Sequence, residues 1–200
     1  INVKFYNKHY LPHKSIIKDI RKFSLKDLSF VPDAIIYLAA ISNDPMGNEF
    51  RSITHEINTK CCIKIAKDAK RAGVKKFIFA SSCSIYGSAG NKKKKENHSI
   101  QPLTDYAKSK VKSERLLKKI SSKSFQVISL RFATAAGFSP KLRLDLVFND
   151  FVVNSVTKKE ILILSNGEPW RPLVHVKDMA RAMEWSINYL PKSNFLAINI

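Results

Sequence analysis

The chain has 200 residues, of which 44% are hydrophobic, so it can form one large domain or a domain with part of a second. No apolar stretch approaches the roughly 20 residues that span a bilayer. The N-terminus lacks a signal-peptide pattern, so we expect a cytoplasmic protein with no membrane contact. Cys61, Cys62 and Cys83 have neither a disulfide framework nor the spacing of a zinc site. We therefore predict reduced core thiols and no metal.

The formal net charge of +19 is compatible with a nucleic-acid surface, an anionic small substrate or a lysine-rich proteome. Lysine outnumbers arginine, its excess is scattered, and the one run, Lys92–Lys95, lies in a stretch typical of a loop. Base readout and bidentate phosphate recognition depend on arginine, whereas scattered lysines coat solvated surfaces. We therefore do not expect a nucleic-acid partner.

The first predicted elements are two strands and the helix between them. Residues 33–40 form a nearly unbroken apolar run, typical of a strand covered on both faces of a parallel sheet. Apolar residues from Ile53 to Ala69 recur at helical spacing, and Gly73 is placed to end that helix. Residues 74–80 predict the next strand.

The alternation continues with a helix over about 106–120 and a strand over 125–131. Strand and helix in this rhythm predict right-handed crossovers and a parallel sheet, hence a doubly wound α/β domain. Ligands of such sheets bind beyond the carboxyl ends of the strands. The segments after residues 40, 80 and 131 are therefore the first places to look for a site.

From residue 140 onward the rhythm changes. We predict a helix over about 144–156, a short strand over 161–164, a turn at Asn166-Gly167 and a last helix over about 177–190. This change predicts that a smaller lobe begins at residue 140, after a larger domain formed by residues 1–139.

Tyr106 and Lys110 stand four residues apart on a predicted helix, so their side chains share one face and can meet. A tyrosine has an unperturbed pKa of roughly 10, which is too high for a base at neutral pH. A neighbouring ammonium lowers that pKa because it favours the phenolate. Taken alone, the pair is weak evidence, because this spacing arises by chance in many helices and favours a surface tyrosine beside a solvated lysine.

Four further motifs stand in the order and approximate spacing of one protein family. They are Leu38-Ala39-Ala40, Phe79-Ala-Ser-Ser-Cys-Ser-Ile-Tyr-Gly87, Arg131-Phe-Ala-Thr-Ala-Ala-Gly137 and Pro169-Trp-Arg-Pro-Leu-Val-His-Val-Lys-Asp178. With Tyr106 and Lys110 they resemble the extended short-chain dehydrogenases/reductases, and among these the NAD-dependent nucleotide-sugar epimerases and dehydratases. The resemblance implies a Rossmann-like, incomplete dinucleotide-binding domain over 1–139 and part of a nucleotide-sugar-binding lobe over 140–200.

By this resemblance Ser82 is the catalytic serine that holds the developing carbonyl oxygen, and Tyr106 is the acid/base. Lys110 lowers the pKa of the tyrosine and hydrogen-bonds the nicotinamide ribose. A hydride leaves a sugar carbon only as the hydroxyl proton is removed, so a phenolate beside a nicotinamide suits this chemistry. Ser84 is implied as a second substrate contact, although serines here also close strand-end turns.

The resemblance implies a cofactor site, with NAD as the usual cofactor and the choice between NAD and NADP left open. The residues implied, besides Tyr106 and Lys110, are Asp19, Ile20, Leu38, Ala39, Ala40 and Asn58. Asp19 can equally cap a helix, and Asn58 can equally be an exposed helix residue.

In the second lobe Asn149 and Arg171 match positions that grip the nucleotide and its diphosphate, for which a guanidinium is well suited. Thr134 stands where many epimerases have an asparagine that contacts the substrate, which leaves the sugar nucleotide open. We expect His175 and Asp178 instead to fix the turn and cap the last helix.

The chain departs from the family's pattern in two places. The glycine-rich loop that approaches the pyrophosphate is not among these residues, since Ile1–Ser15 resembles the segment after the family's second strand. We therefore expect these 200 residues alone to bind cofactor weakly and to be inactive. Cys83 and Ser84 stand where sugar 4,6-dehydratases carry an Asp-Glu pair, which argues against 4,6-dehydration.

We therefore predict NAD(P)-dependent epimerisation of a nucleotide sugar, at the sugar 4-position, or a related oxidation-reduction. The full-length protein is expected to be a homodimer. The alternative is a non-catalytic dinucleotide-binding or basic nucleic-acid-associated protein that keeps only the fold. The serine, tyrosine and lysine disfavour that alternative.

Overall fold

The computed structural model describes residues 12, 14–42, 44–88, 92–163, 165–168 and 170–200. The strands are β1 Ala34–Tyr37, β2 Lys76–Ser82, β3 Gln126–Phe132, β4 Thr134–Ala136, β5 Leu173–His175 and β6 Phe195–Asn199. The α-helices are α1 Asp44–Glu49, α2 Arg51–His55, α3 Cys62–Ala72, α4 Asp105–Ile120, α5 Val147–Thr157 and α6 Val176–Asn188. Short 3-10 helices span Leu25–Asp27 and Cys83–Tyr86. Most of the segment Ile1–Ser15 lies outside the described residues, as does Pro169.

The main sheet has four parallel strands in the order β1-β2-β3-β6. Successive side chains of a strand point to opposite faces, so Phe77 and Phe79 pack beneath α3 and α4 while Ile78 packs toward α6. Helices on both faces of a parallel sheet confirm the predicted doubly wound α/β fold. The division of the chain at residue 140 stays a prediction.

The helix predicted after β1 is present but interrupted. A π-helical segment, Glu56–Cys61, joins α2 to α3. The helix ends as predicted at Gly73, whose φ of 89° lies in the left-handed region that favours glycine. Cys61 and Cys62 are free and buried in this helix, as predicted, whereas Cys83 is half-buried.

The strand predicted over 161–164 is wrong for the residues that the structure describes. Ile161, Leu162 and Ile163 are outside any strand and between 49% and 62% exposed, because no described strand lies beside them to complete a ladder. Leu164 lies outside the described residues. Three strands were not predicted: β4 and β5 pair with each other, and β6 pairs with β3.

The last helix begins where the sequence predicts it. His175 caps α6, and its Nδ1 accepts a hydrogen bond from the Lys177 amide at 3.2 Å. Asp178 lies in the first turn of α6 and pairs with Arg181 rather than capping the helix. Within the described part of the chain, no helix is long and apolar enough to cross a membrane.

Candidate active site

The carboxyl ends of β1, β2 and β3 lie side by side at one edge of the main sheet. Residues 38–42 follow β1, the turn Cys83–Tyr86 follows β2, and β4 begins shortly after β3. Each of these segments carries residues that the sequence predicts as functional. The parallel sheet therefore gathers motifs from three distant parts of the chain at the edge where such folds bind ligands.

Ser82 ends β2 and caps the turn that follows. Its Oγ accepts hydrogen bonds from the amide of Ser84 at 3.2 Å and from the hydroxyl of Ser84 at 2.9 Å. With two bonds accepted, the hydroxyl hydrogen of Ser82 must point elsewhere, as a donor. Ser82 therefore closes the strand-end turn and also offers a hydrogen-bond donor at the edge of the sheet.

Tyr106 and Lys110 lie on α4, which begins at its cap Thr104 and packs against β2. Lys110 is 3% exposed, its Nζ donates to the carbonyl of Ala80 at 2.7 Å, and Nζ lies 5.4 Å from the Tyr106 ring centroid. Tyr106 is half-buried. A solvated lysine beside a surface tyrosine is therefore the wrong interpretation of this pair.

The electrostatics of the pair follow from its burial. Loss of hydration lowers the pKa of Lys110 to about 8. The neighbouring Cys62 and Glu114 act in the opposite direction and partly offset this effect. At neutral pH the lysine is therefore still mainly an ammonium. A positive charge near a phenol is the arrangement that favours a phenolate, so the geometry is compatible with the predicted pair of base and lysine.

Asn58, in the π-helical segment, is 1% exposed, so its interpretation as an exposed helix residue is wrong. Its Oδ1 accepts from the Ile41 amide at 2.8 Å, and its Nδ2 donates to the Ile41 carbonyl at 3.0 Å and to Ser109 Oγ at 3.1 Å. Ser109 donates in turn to the carbonyl of Tyr106 at 2.7 Å. Asn58 therefore joins the loop after β1 to the first turn of α4.

The three residues after β1 stand at the same edge. Leu38 is 56% exposed, while Ala39 and Ala40 are half-buried. A large apolar side chain left open beside two small ones gives a surface on which a flat ring can lie.

Asp19 and Ile20 lie before β1, and the charge of Asp19 acts on Cys61 in the π-helical segment. Ile20 is half-buried and packs against the core, whereas Asp19 is exposed and pairs with Arg21, which lowers the pKa of the Asp19 carboxyl. The 3-10 helix that follows is capped by Ser24. Asp19 does not cap that helix, but its Oδ1 accepts a hydrogen bond from the Arg21 amide at 2.9 Å and so caps the turn that begins with it. Its contact with a cofactor stays a prediction.

The small sheet of β4 and β5 brings the segment around Arg171 to this edge. The amide of Thr134 donates to the carbonyl of Pro172 at 3.0 Å, next to Arg171. Burial raises the pKa of the Cys83 thiol, and the charge of Arg171 acts against that effect. The exposed guanidinium of Arg171 therefore lies near the turn that begins at Ser82.

Asn149 is 7% exposed, and its Nδ2 donates to the carbonyl of Arg143 at 3.1 Å, so it holds the segment before α5. Arg143 donates to the hydroxyl of Ser42 at 2.9 Å and pairs with Asp145 at 2.6 Å. Arg143 thereby links the segment before α5 to the loop after β1. Sequence reasoning missed it, because nothing in the local pattern separates it from the other basic residues.

Residues 14–200 match the family described as the NAD dependent epimerase/dehydratase family. The chain belongs to this family. It is 27% identical over 183 residues to the uncharacterized UDP-glucose epimerase YtcB of Bacillus subtilis strain 168. The aligned region covers 88% of this chain and 56% of YtcB. It is 22% identical over 190 residues to the N-acetyl-alpha-D-glucosaminyl-diphospho-ditrans,octacis-undecaprenol 4-epimerase of Escherichia coli O157:H7, covering 93% of this chain and 56% of that protein.

Solved structures share the fold of this epimerase/dehydratase family member. The UDP-N-acetylglucosamine 4-epimerase from Methanobrevibacter ruminantium M1, in complex with UDP-N-acetylmuramic acid, matches with a TM-score of 0.80 at 26% identity, over 92% of this chain and 60% of that one. MoeE5, in complex with UDP-glucose and NAD, matches with a TM-score of 0.82 at 24% identity, over 92% of this chain and 62% of that one. The chain thus spans 56% of the length of YtcB and 60% of the epimerase structure. The predicted family and fold are confirmed.

Proposed function

We propose that this protein catalyses the NAD-dependent epimerisation of a nucleotide sugar at the sugar 4-position, or a related oxidation-reduction of the same substrate class. The observation that carries the proposal is the buried Lys110 ammonium beside Tyr106, on the helix that packs against the strand ending at Ser82. Relatives named as a UDP-glucose epimerase and a UDP-N-acetylglucosamine 4-epimerase support this substrate class.

The residues at the sheet edge fit a nicotinamide dinucleotide. Leu38 offers an exposed apolar face at the end of β1, with the small Ala39 and Ala40 beside it. Lys110 carries an ammonium that can donate to a ribose hydroxyl as well as to Ala80. Bound there, NAD would supply the acceptor and then the donor of the hydride that is exchanged with the sugar carbon.

The protein's own residues handle the proton and the oxygen. Tyr106, as a phenolate, takes the proton of the 4-hydroxyl as the carbon–hydrogen bond breaks, and it returns that proton when the ketone is reduced. Ser82 donates its hydroxyl hydrogen to the same oxygen and so stabilises the charge that develops on it. Lys110 keeps the phenolate accessible at neutral pH.

The second lobe would hold the nucleotide diphosphate. Arg171, whose exposed guanidinium lies near Cys83, suits two adjacent phosphates. Ser84 belongs to the same turn, and Thr134 is bonded to Pro172, beside Arg171; both are proposed as sugar contacts. The Asn149 amide is already bonded to Arg143, which supports a role in shaping this wall of the site.

A non-catalytic protein that keeps only the fold accounts less well for Lys110. A charged lysine that is 3% exposed costs stability, and nothing in a purely structural role requires it. A homodimer and a cytoplasmic location stay predictions. Light scattering of the full-length protein during size-exclusion chromatography checks the first, and fractionation of cells checks the second.

The test uses the full-length protein with UDP-glucose and UDP-N-acetylglucosamine as separate substrates, and follows formation of the 4-epimer by chromatography. We expect turnover of at least one of them, and a loss of roughly two or more orders of magnitude in kcat for Tyr106→Phe with NAD affinity nearly unchanged. Tyr189→Phe, at the residue directly after α6, is the matched control and should keep full activity. An active Tyr106→Phe variant would contradict the assigned base, and absence of any epimer would contradict the proposed reaction.

A further inference from the structure

An ion pair lies buried directly behind the proposed site. The guanidinium of Arg131, on β3, donates to both carboxylate oxygens of Glu114, on α4, at 3.1 and 2.8 Å. Both side chains are only 6% exposed. The hydroxyl of Ser129 donates to the same carboxylate at 2.9 Å, so the Glu114 charge is fully surrounded by donors.

The pair reaches the turn that carries Ser82. Arg131 donates from Nη1 to the hydroxyl oxygen of Tyr86 at 2.8 Å, and Tyr86 is the last residue of the turn after Ser82. The Tyr86 hydroxyl donates in turn to Asn199 Oδ1, on β6, at 2.7 Å. A continuous set of hydrogen bonds therefore runs from α4, through β3, to the turn and to the last strand.

The two ends of this set are the two halves of the proposed site. Glu114 lies one helical turn beyond Lys110 and two beyond Tyr106 on the same face of α4. Tyr86 lies four residues beyond Ser82. A buried ion pair contributes little net stability compared with apolar residues of similar size, and its best attested use is to select one arrangement of the groups around it.

We propose that Glu114, Arg131 and Tyr86 are positioning residues, which hold the turn of Ser82 at a fixed distance and orientation from the Tyr106–Lys110 pair. The proposal rests on the proposed function of Ser82 and Tyr106. None of the three is proposed to touch the substrate. Their side chains bond to one another, and each thereby fixes the position of its own backbone segment. The carboxylate of Glu114 adds a second contribution, because its charge helps to keep the buried Lys110 protonated.

The first test is Tyr86→Phe in the full-length protein. The ring stays in its apolar cluster with Ile85 and Val111, and only the hydroxyl is lost. We expect kcat for the nucleotide sugar to fall roughly ten- to a hundredfold, because small displacements of a catalytic group have effects of this size. The KM for the nucleotide sugar and the affinity for NAD should change less than about twofold, because the contacts that bind substrate and cofactor are untouched.

Tyr37→Phe is the matched control. Tyr37 is also a buried phenol, 4% exposed, and its hydroxyl donates to the carbonyl of Ile57 at 3.2 Å, outside this network. It should lose a similar amount of thermal stability and keep its kcat. If the two variants lose kcat equally at equal loss of stability, the network is only a structural cross-link and the proposal is overturned.

Glu114→Gln separates position from charge. Lys110 is faced by Cys62 from α3, by Phe79 and the Ala80 carbonyl from β2, and by Tyr106 and Glu114 on its own helix. Removal of the carboxylate charge should move the alkaline limb of the kcat profile to lower pH. Tyr86→Phe should lower kcat without moving that limb. An unmoved limb in Glu114→Gln would overturn the charge contribution.

Hydrogen–deuterium exchange decides the positioning independently of activity. Tyr86→Phe should speed amide exchange by at least about threefold in the peptide over residues 82–87, whereas Tyr37→Phe should leave that peptide unchanged. If the wild-type protein turns over no nucleotide sugar, the proposed function fails while this measurement still stands. Equal exchange in both variants would overturn the positioning role whatever the activity.

Discussion

Because Lys110 is buried, we expect the free energy of unfolding to depend on pH in a way that can be separated from the contributions of the other titratable groups. Its pKa is about 8 in the folded protein, against 10.5 as the reference for an exposed lysine. Between these two values the unfolded chain binds more protons than the folded one, so the free energy of unfolding rises with pH. Below pH 8 both states carry the proton and the full cost of burying the charge is present, whereas above 10.5 it is gone.

The magnitude follows from the same two values. The difference between 10.5 and about 8 corresponds to about 3 kcal/mol, at about 1.4 kcal/mol for each pKa unit. Only part of this is recovered before the unfolded lysine itself begins to lose its proton. Between pH 7 and pH 9.5 we expect the contribution of Lys110 to the free energy of unfolding to rise by about 2 kcal/mol.

The assay is urea unfolding of the full-length protein at several values of pH from 7 to 9.5, in the wild type and in Lys110→Met. Methionine keeps a similar length without the charge. Cys62 contributes equally to both proteins, because burial raises the pKa of its thiol to about 12 and the folded thiol stays protonated up to pH 9.5 with or without the lysine. The lost hydrogen bond to Ala80 shifts the difference between the two proteins by a constant amount and leaves its pH dependence unchanged. Lys60→Met, at an exposed position of the π-helical segment, controls for loss of a lysine as such.

The expected result is a difference, wild type minus Lys110→Met, that rises by about 2 kcal/mol across this range, with a flat difference for Lys60→Met. Two parallel curves for Lys110→Met would refute the reasoning. They would mean that water reaches the ammonium, and that the charge acting on Tyr106 is screened.

Three further outcomes are expected. Arg171→Ala should raise the KM for a nucleotide sugar more than it lowers kcat, since diphosphate contacts bind ground and transition states alike; steady-state kinetics checks this, and an unchanged KM would place the diphosphate elsewhere. Asn58→Ala should lower the free energy of unfolding by about 2–4 kcal/mol, because the amide and carbonyl of Ile41 lose their partner; urea unfolding checks this, and a loss under about 1 kcal/mol would contradict it. Gly87→Ala should lower the Tm by roughly 10 °C or more, because a Cβ at Gly87 would lie 2.1 Å from the Gln101 carbonyl oxygen and Gly87 has a φ of 65°. Calorimetry checks this, and an unchanged Tm would show that the turn can move.

Features that depend on local spacing could be predicted from the sequence. Tyr106 and Lys110 meet because residues four apart share a helix face, and the helix after β1 ends at Gly73 because a left-handed residue favours glycine. The order of strand and helix was enough to predict the parallel sheet. These inferences need no knowledge of which distant residues come together.

Features that depend on distant partners could not be predicted. The apolar period of its helix does not mark Asn58 as a buried residue. It is buried because Ile41 and Ser109, from other segments, form hydrogen bonds with its side chain. β6 is a strand because β3 lies beside it, whereas the equally apolar residues 161–163 have no neighbouring strand in the part of the chain that the structure describes. In both cases the decisive contact joins segments far apart in the chain.

Tyr106, Lys110 and Glu114 lie on one face of α4. The proposed site and the ion pair of Glu114 with Arg131 therefore cannot change position independently of each other. The three residues follow one another at intervals of four, so one face carries the proposed base, the charge that acts on it and the anchor to β3. One residue added between Tyr106 and Lys110 would turn the rest of the helix by about 100° relative to the tyrosine. It would also move Glu114 away from Arg131, whose position is set by its pairing beside Ser81 on β2. The register of the sheet and the period of this helix must therefore agree for Ser82 and Tyr106 to act on the same oxygen.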